Sequence, residues 1–358
     1  MTVYLLAGGG TAGHVNPLLA VGDRLRLDEP DATVLVLGTA EGLEARLVPE
    51  RGYELITIPR MPFPRRLNGA AVGFPGRFQR AIGDIVRTLR ERRVDVVVGF
   101  GGYAAAPAYL AARRARIPFA LHEANAMPGL ANRLGARFTP AVGVAFPGTP
   151  LPHATLVGMP LRREIVELDR ADRRDEALEA FGLDSERPVL LVTGGSLGAR
   201  RINEAVSARA QALVDAGVQV LHAWGSGTEL VDPGIAHYTV VPYLDRMDLA
   251  LAAADVALCR AGSGTVSELT ALGLPAIYVP YAVGNGEQRK NAAGVVERGG
   301  ALLVDDADLT PTWIDEHLLD LVVDPDRLAV MSARARELGV LDGAERMAAL
   351  VRTLLPGD

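Results

Sequence analysis

The sequence predicts an α/β fold made of two parallel-sheet domains in tandem. Short apolar runs alternate with segments of helical periodicity, glycine-rich loops follow several of those runs, and a stretch near residue 189 repeats the pattern of the N-terminus. The runs lie at 3–7, 33–37, 54–58, 94–98 and 119–121 in the first half. Those of the second half lie at 189–193, 218–223, 239–241, 256–259, 276–279 and 301–304. Helical segments between consecutive runs imply parallel strands, and strands covered on both faces read as unbroken apolar runs. For the first helix the signals are Asn16 as N-cap and Pro17 at the first helical position, with Leu18, Val21, Gly22 and Leu25 on one face. The first half closes near Val157-Gly-Met-Pro-Leu-Arg162, where Gly and Pro precede polar helical sequence. After Leu183-Asp-Ser-Glu-Arg-Pro188 the pattern restarts: Val189-Leu-Leu-Val-Thr-Gly-Gly-Ser-Leu-Gly198 is similar to Val3-Tyr-Leu-Leu-Ala-Gly-Gly-Gly-Thr-Ala-Gly13. A last helix is expected over 343–355, free by pattern alone to pack on either half.

Composition fits this organisation. The chain has 358 residues, 49% apolar and 22% charged, with 37 basic against 43 acidic side chains for a net charge of −6. That length supports two cores without a stapling disulfide or metal. Cys259 stands alone, so no disulfide forms within the chain and a reducing compartment is expected. The opening run has no basic segment before it and is too short for a signal peptide, so export is not expected. The apolar stretch 96–112 is broken by Gly99, Gly101, Gly102 and Pro107, short of the ~20 residues a membrane span needs. Lys290, the only lysine, follows no glycine-rich loop, which excludes a Walker P-loop.

In open α/β sheets ligands bind beyond the carboxyl ends of the strands, so four loops hold the candidate chemistry. Gly8, Gly10 and Gly13 have dinucleotide-loop spacing, but the second strand does not end in the acidic residue that would hold an NAD ribose; Glu41 comes one step later. The glycines alternatively serve only a tight turn. Gly194-Gly-Ser-Leu-Gly198 opens a helix with Ile202, Val206 and Leu213 on one face, offering free N–H groups and the Ser196 hydroxyl to a phosphate. Arg260-Ala-Gly-Ser-Gly-Thr-Val-Ser-Glu268 starts a helix near Ser263, with Thr265 and Glu268 on one face. A carboxylate there can accept from both ribose hydroxyls of a nucleotide whose phosphate sits at the helix end, or it can simply favour the helix dipole. His122-Glu-Ala-Asn125 supplies an acid or base and an amide. The six histidines show no metal-ligand spacing, and Asp306, Asp308, Asp324 and Asp326 fall where turns and helix starts favour Asp. No metal site is expected.

With these loops assembled, the chain resembles the MurG family, the family 28 glycosyltransferases of peptidoglycan synthesis. The stretches that carry the resemblance are Gly8 to Pro17, Gly99-Phe-Gly-Gly-Tyr103, His122 to Asn125, Val157 to Arg162, Gly194 to Arg200, Cys259 to Glu268 and Gln288 to Asn291. The resemblance implies a GT-B fold, two Rossmann-like domains separated by a cleft. Residues 1–160 would form an acceptor- and membrane-facing domain on which 341–358 pack back, and 161–340 would hold the UDP-sugar. It implies donor contacts at Thr11, Ala12, Gly13, Asn125, Arg162, Ser196, Leu244, Ser263, Gly264, Thr265, Val266, Ser267, Glu268 and Gln288. Glu287-Gln288 and Ser263-Gly264 depart from the family, which often has Gln-Gln and an apolar pair there.

The implied reaction is inverting transfer of N-acetylglucosamine from UDP-N-acetylglucosamine to the C4 hydroxyl of a lipid-linked muramyl-pentapeptide, with no cofactor and no metal. His14 is the first candidate for the base, because a helix N-terminus keeps an imidazole neutral, and Glu123 is the second. Between residues 60 and 93, nine arginines face only Asp84 and Glu91. With Phe63, Arg65, Arg66, Phe74, Arg77, Phe78 and Arg80, this segment is expected to meet an anionic membrane surface at the cytoplasmic face, and no nucleic-acid module accompanies it. A sugar-nucleotide epimerase, another glycolipid transferase and a non-catalytic sugar-nucleotide sensor are the alternatives.

Overall fold

In the computed structural model the described residues are 1–61, 69–195, 198–227, 229–281 and 285–356. The chain divides into two units: Met1–Arg162 with Leu341–Asp358, and Arg163–Val340.

The first unit is a seven-stranded parallel sheet. Its strands are β1 (Val3–Ala7), β2 (Thr33–Gly38), β3 (Glu54–Thr57), β4 (Val96–Gly99), β5 (Phe119–Glu123), β6 (Val142–Val144) and β7 (Ala154–Leu156), in the order β3-β2-β1-β4-β5-β6-β7. Its helices include α1 (Ala12–Asp28), α2 (Glu44–Glu50), α3 (Gly69–Glu91), α4 (Gly102–Ala115) and α5 (Leu130–Gly135). Alternate residues of β1 face opposite cores. Leu5 and Ala7 pack with Ile82, Ile85 and Leu89 of α3 and Ala104 and Ala108 of α4, while Tyr4 and Leu6 pack with Leu18, Val21 and Leu25 of α1. The second core also takes Met347, Ala348 and Val351 from the last helix, Gly343–Arg352, which is tied down by Arg352 on Asp28 (2.5 Å) and Glu345 on Arg24 (3.0 Å). The pattern left that helix free to pack on either half; the structure seats it on the first.

The second unit repeats the design with six parallel strands: β8 (Val189–Thr193), β9 (Gln219–Ala223), β10 (Tyr238–Val241), β11 (Val256–Cys259), β12 (Ala276–Tyr278) and β13 (Ala301–Leu303), in the order β10-β9-β8-β11-β12-β13. In each sheet the strand order reverses once, between β1 and β4 and between β8 and β11, and loops part at such reversals to leave a crevice.

Three local expectations are corrected. Strand β6 is not among the runs, because Gly143 interrupts its apolar residues. Helix α1 begins at Ala12 rather than at Pro17: after Gly10 at φ 91° and an extended Thr11, the N–H groups of His14 and Val15 both donate to the Thr11 carbonyl and start the helix early. Pro17 then lies inside α1, where it removes one donor to the Gly13 carbonyl. The helix expected through Ile202, Val206 and Leu213 is two, Arg200–Ser207 and Ala210–Asp215, although all three side chains are buried. Its break falls at Arg209, whose guanidinium bonds Asp315 at 2.7 Å.

Candidate functional site

In the first unit the parallel registers place the ends of β2, β1, β4 and β5 side by side, with Ala7 opposite both Leu37 and Gly99, and Gly99 opposite Leu121. The Gly8–Gly13 loop therefore lies between the loop after β2 and the glycines after β4. These approach closely because they lack side chains: a Cβ on Gly102 would stand 2.3 Å from the Gly9 carbonyl oxygen. His14, half-buried in the first turn of α1, has Nδ1 3.1 Å from the Thr11 hydroxyl. Desolvation pulls its imidazole below the usual value, against opposing pulls from the Gly9 carbonyl and Glu44.

Glu44, which the sequence did not bring forward, is fully buried at the start of α2. It accepts from the Gly10 N–H (2.8 Å), the Thr39 N–H (2.9 Å) and the Thr39 hydroxyl (2.7 Å). The Gly10 donor that a dinucleotide phosphate would use is thus committed to an internal carboxylate, which removes the dinucleotide reading of this loop.

After β5, His122 is buried, and its Nε2 lies 2.9 Å from the Gly158 carbonyl, the separation of a hydrogen bond. Desolvation pushes its pKa down to about 4, so the neutral ring holds its proton on Nε2 and donates. Glu123, 3% exposed, accepts from the N–H groups of Asn125 and Gly129 (2.9 Å each) and from the Asn132 amide (3.0 Å). Burial raises its carboxyl above the usual value, against those three donors. Asn132 also accepts from the Tyr109 hydroxyl at 2.7 Å and donates to the His122 carbonyl at 3.0 Å. Glu123 is therefore the hub that shapes the loop carrying Asn125. Thr11 and Ala12 are exposed, while Gly13, Asn125 and Arg162 are half-buried.

In the second unit, Cys259 at the end of β11 lies opposite both Thr193 and Tyr278, so the loops after β8, β11 and β12 are neighbours. Gly194 and Gly198 permit the turn after β8: a Cβ on Gly194 would stand 2.2 Å from the Ala199 nitrogen, and one on Gly198 2.3 Å from the Trp224 carbonyl oxygen. Ser196 falls outside the described residues. Helix Ser263–Leu272 starts after Gly262, with Ser263 and Val266 buried and Gly264, Thr265, Ser267 and Glu268 half-buried. Gly262 at the N-cap brings no side-chain cap to this helix start, and among the described residues nothing lies within 4 Å of a Cβ built on Gly264; uncapped N–H groups at a helix start suit an anion. The Gln288 carbonyl accepts from the Tyr281 N–H (2.9 Å), which turns its amide NH₂ away as a donor. Leu244 is buried. One residue of each Asp pair serves structure: Asp306 bridges Arg260 (2.5 Å) and Arg201 (3.3 Å), and Asp324 caps the helix Pro325–Arg336. Among the described residues no cluster of three or more His, Cys, Asp or Glu is placed to hold a metal.

Of the membrane patch, Phe63, Arg65 and Arg66 fall outside the described residues. On α3, Arg77 and Arg80 are exposed, and Phe74 stacks on Phe78 at 5.4 Å. Phe78 also packs against the core, so it anchors the exposed end of the helix from beneath.

The Glycosyltransferase family 28 N-terminal and C-terminal domain models match residues 4–144 and 189–347. The chain is 65% identical over 353 residues to the UDP-N-acetylglucosamine--N-acetylmuramyl-(pentapeptide) pyrophosphoryl-undecaprenol N-acetylglucosamine transferase of Leifsonia xyli subsp. xyli, covering 99% of each. It is 63% identical over 353 residues to the transferase of the same name from Clavibacter sepedonicus, covering 98% of this chain and 96% of the relative. The crystal structure of Acinetobacter baumannii MurG superposes with a TM-score of 0.79 at 27% identity, covering 99% of this chain and 100% of that one.

Proposed function

We propose, from the premise that the chain belongs to glycosyltransferase family 28, that it transfers N-acetylglucosamine from UDP-N-acetylglucosamine to the C4 hydroxyl of undecaprenyl-pyrophosphoryl-N-acetylmuramyl-pentapeptide. The support that carries this is the 65% identity, over 99% of both chains, with a relative of that name.

The second unit takes the donor. The open start of Ser263–Leu272 faces its N–H groups to the diphosphate, and Glu268, on the next turn, accepts from the ribose hydroxyls. Leu244 covers uracil, and the Gln288 NH₂ reaches the sugar hydroxyls. Ser196 in this unit, and Thr11, Ala12, Gly13, Asn125 and Arg162 in the first, are the further donor contacts that membership of the family implies. In the first unit His14 takes the acceptor's C4 proton. As the C4 oxygen bonds the anomeric carbon, the bond from that carbon to the UDP oxygen breaks on the opposite face, which inverts the centre. Burial keeps the His14 ring neutral and able to accept a proton, and helix N-termini stabilise the charge that gathers on UDP.

The protein works at the cytoplasmic membrane face as a peripheral enzyme. Among the described residues no helix is long and apolar enough to cross a membrane, and the exposed arginines of α3 suit an anionic leaflet. The test is incubation with UDP-N-acetylglucosamine and the lipid-linked muramyl acceptor. A disaccharide lipid with released UDP is the expected product; epimerised sugar nucleotide, or UDP-sugar binding with no turnover, overturns the proposal.

A further inference from the structure

Asp306, which the sequence shows only as an acidic residue in a turn, forms a shielded ion pair at the carboxyl end of the second sheet. The hydrogen-bond ladder runs one residue past the strands: the Val279 N–H donates to the Cys259 carbonyl (2.8 Å) and the Val304 N–H to the Tyr278 carbonyl (3.0 Å). Arg260, Pro280 and Asp305 therefore begin three neighbouring loops, and Asp306 reaches back across them to Arg260, with Oδ1 2.5 Å from Nη1. The two side chains are only 13% and 18% exposed. Asp306 also meets Arg201 at 3.3 Å, but that side chain is 48% exposed and solvent screens the pair.

The Arg260 guanidinium has further partners. The same Nη1 donates to the carbonyls of Val279 (3.1 Å) and Pro280 (3.4 Å), and the group lies 5.5 Å from the centre of the Tyr281 ring. Two consecutive carbonyls turned towards one cation fix the plane of the peptide that joins Pro280 to Tyr281. In a planar trans peptide the N–H lies on the edge opposite the carbonyl, and here it donates to the Gln288 side-chain carbonyl at 2.9 Å. The Gln288 NH₂ is thus aimed by a relay that begins at Asp306. Nη1 has two hydrogens for three acceptors, and the charged acceptor is the strongest of them. Without it the guanidinium would be a shielded cation lacking its counter-charge, and would turn towards water and release the two carbonyls.

We propose that Asp306 is a positioning residue for the donor sugar: it holds Arg260 against the Val279 and Pro280 carbonyls so that the Tyr281 N–H orients the Gln288 amide. This rests on the proposed function for one point, that the Gln288 NH₂ meets the sugar of UDP-N-acetylglucosamine; the relay from Asp306 to Gln288 stands on the contacts alone. The adjacent pair of Asp305 with Arg289, next to Gln288 in sequence, is half-exposed on both sides and has no such hold on the backbone.

The experiment is calorimetric titration of the full-length protein with UDP-N-acetylglucosamine and, separately, with UDP. UDP lacks the sugar, so the ratio of the two Kd values isolates the contact that Gln288 makes. In Asp306→Asn the Kd for UDP-N-acetylglucosamine should rise about threefold to tenfold, the loss of one net hydrogen bond, while the Kd for UDP holds. Gln288→Ala should change the ratio at least as much, and adding Asp306→Asn to it should change the ratio no further. Arg201→Gln, which removes the exposed partner of Asp306, should leave the ratio as it is. Equal weakening of both ligands in Asp306→Asn, or a further change of the ratio in the double variant, overturns the proposal. Should Asp306→Asn not fold, Arg260→Lys gives the same reading, because an ammonium cannot hold the same fork of contacts; it should show the same split, and equal weakening of both ligands overturns the proposal there too. A ratio altered in Gln288→Ala but not in Asp306→Asn overturns the relay alone, whereas a ratio unaltered in Gln288→Ala overturns the sugar contact of the proposed function and the relay with it.

Discussion

The α-carbon of Gly101 lies against the His14 imidazole: a Cβ there would stand 2.9 Å from Cδ2 and 3.0 Å from Nε2. Gly101 also holds φ 90° and ψ −165°, a region open essentially to glycine alone. Gly101→Ala should therefore lose about 1–3 kcal/mol of stability from backbone strain. It should also push the ring from its seat, lowering kcat by roughly tenfold or more, because small misplacements of a catalytic group carry large rate costs. Thermal melts and steady-state kinetics on the same preparation check both effects. Unchanged kcat in a destabilised protein would show that the ring's seat does not matter to the reaction.

His14 and Glu123 are separable by their surroundings. Glu123 is saturated by three donors that shape its own loop, whereas His14 lies half-buried at the switch point of the sheet. Removing a general base lowers turnover by about 10²–10⁴-fold, which is the expectation for His14→Ala, with UDP affinity nearly intact. Glu123→Gln should act mainly on stability and on the KM for UDP-N-acetylglucosamine, because an amide nitrogen would face the N–H donors that shape the loop carrying Asn125. A larger kcat loss in Glu123→Gln than in His14→Ala would exchange their roles.

Much of this arrangement was legible in the sequence, for identifiable reasons. Strands such as β1, β8 and β11 are buried on both faces and so read as unbroken apolar runs. The loops after β1 and β8 stood out because close approach demands glycine, as at Gly194 and Gly198. The start of α1 was misplaced because Asn16-Pro17 carries a standard helix-start signal, while the actual start depends on the backbone turn at Gly10. Glu44 was invisible because its cradle draws on Gly9, Gly38 and Gly42, which only the fold brings together. No local spacing encodes that contact.

Glu268 offers a test confined to the donor. A hydrogen bond to a charged group contributes about 1.5–3 kcal/mol, so Glu268→Gln should raise the KM for UDP-N-acetylglucosamine by roughly tenfold to a hundredfold. The acceptor KM should hold. Equal effects on both substrates would mean that the change distorts the second unit rather than removing a ribose contact.

Acid should destabilise both units. Burial pushes His122 and His222 down from 6.5 to about 4. Between those values the unfolded chain binds more protons, so the stabilisation is complete above about pH 6.5 and is lost as pH falls towards 4, about 3 kcal/mol for each ring. The contacts explain why the rings resist charging. His222 lies 2.7 Å from the Tyr238 hydroxyl and 3.2 Å from the Asn203 side-chain oxygen, a set that suits the neutral ring, and Nδ1 of His122 meets no hydrogen-bond partner among the described residues. Melting temperature should fall over this interval, and His222→Gln, though less stable at neutral pH, should show a shallower decline. A slope unaltered in that variant would place the acid sensitivity elsewhere.

Membrane attachment should be electrostatic first. Arg77 and Arg80 are exposed on α3, and the stacked Phe74–Phe78 pair stiffens that end of the helix from below. Basic residues near an anionic surface contribute about 1 kcal/mol each, so reversing both charges with Arg77→Glu and Arg80→Glu should weaken flotation on phosphatidylglycerol-containing vesicles by at least roughly tenfold. Raising the salt concentration should weaken the unaltered protein in the same direction, since exposed charges are screened beyond about 10 Å at 0.1 M. Phe78→Ala should instead lower stability, because that ring packs on the core of the first unit. The proposal that α3 meets the membrane and not the sugar predicts that transfer to a short-chain, water-soluble acceptor survives the double reversal. Loss of that activity along with flotation would show that the arginines belong to the acceptor site rather than to a docking surface.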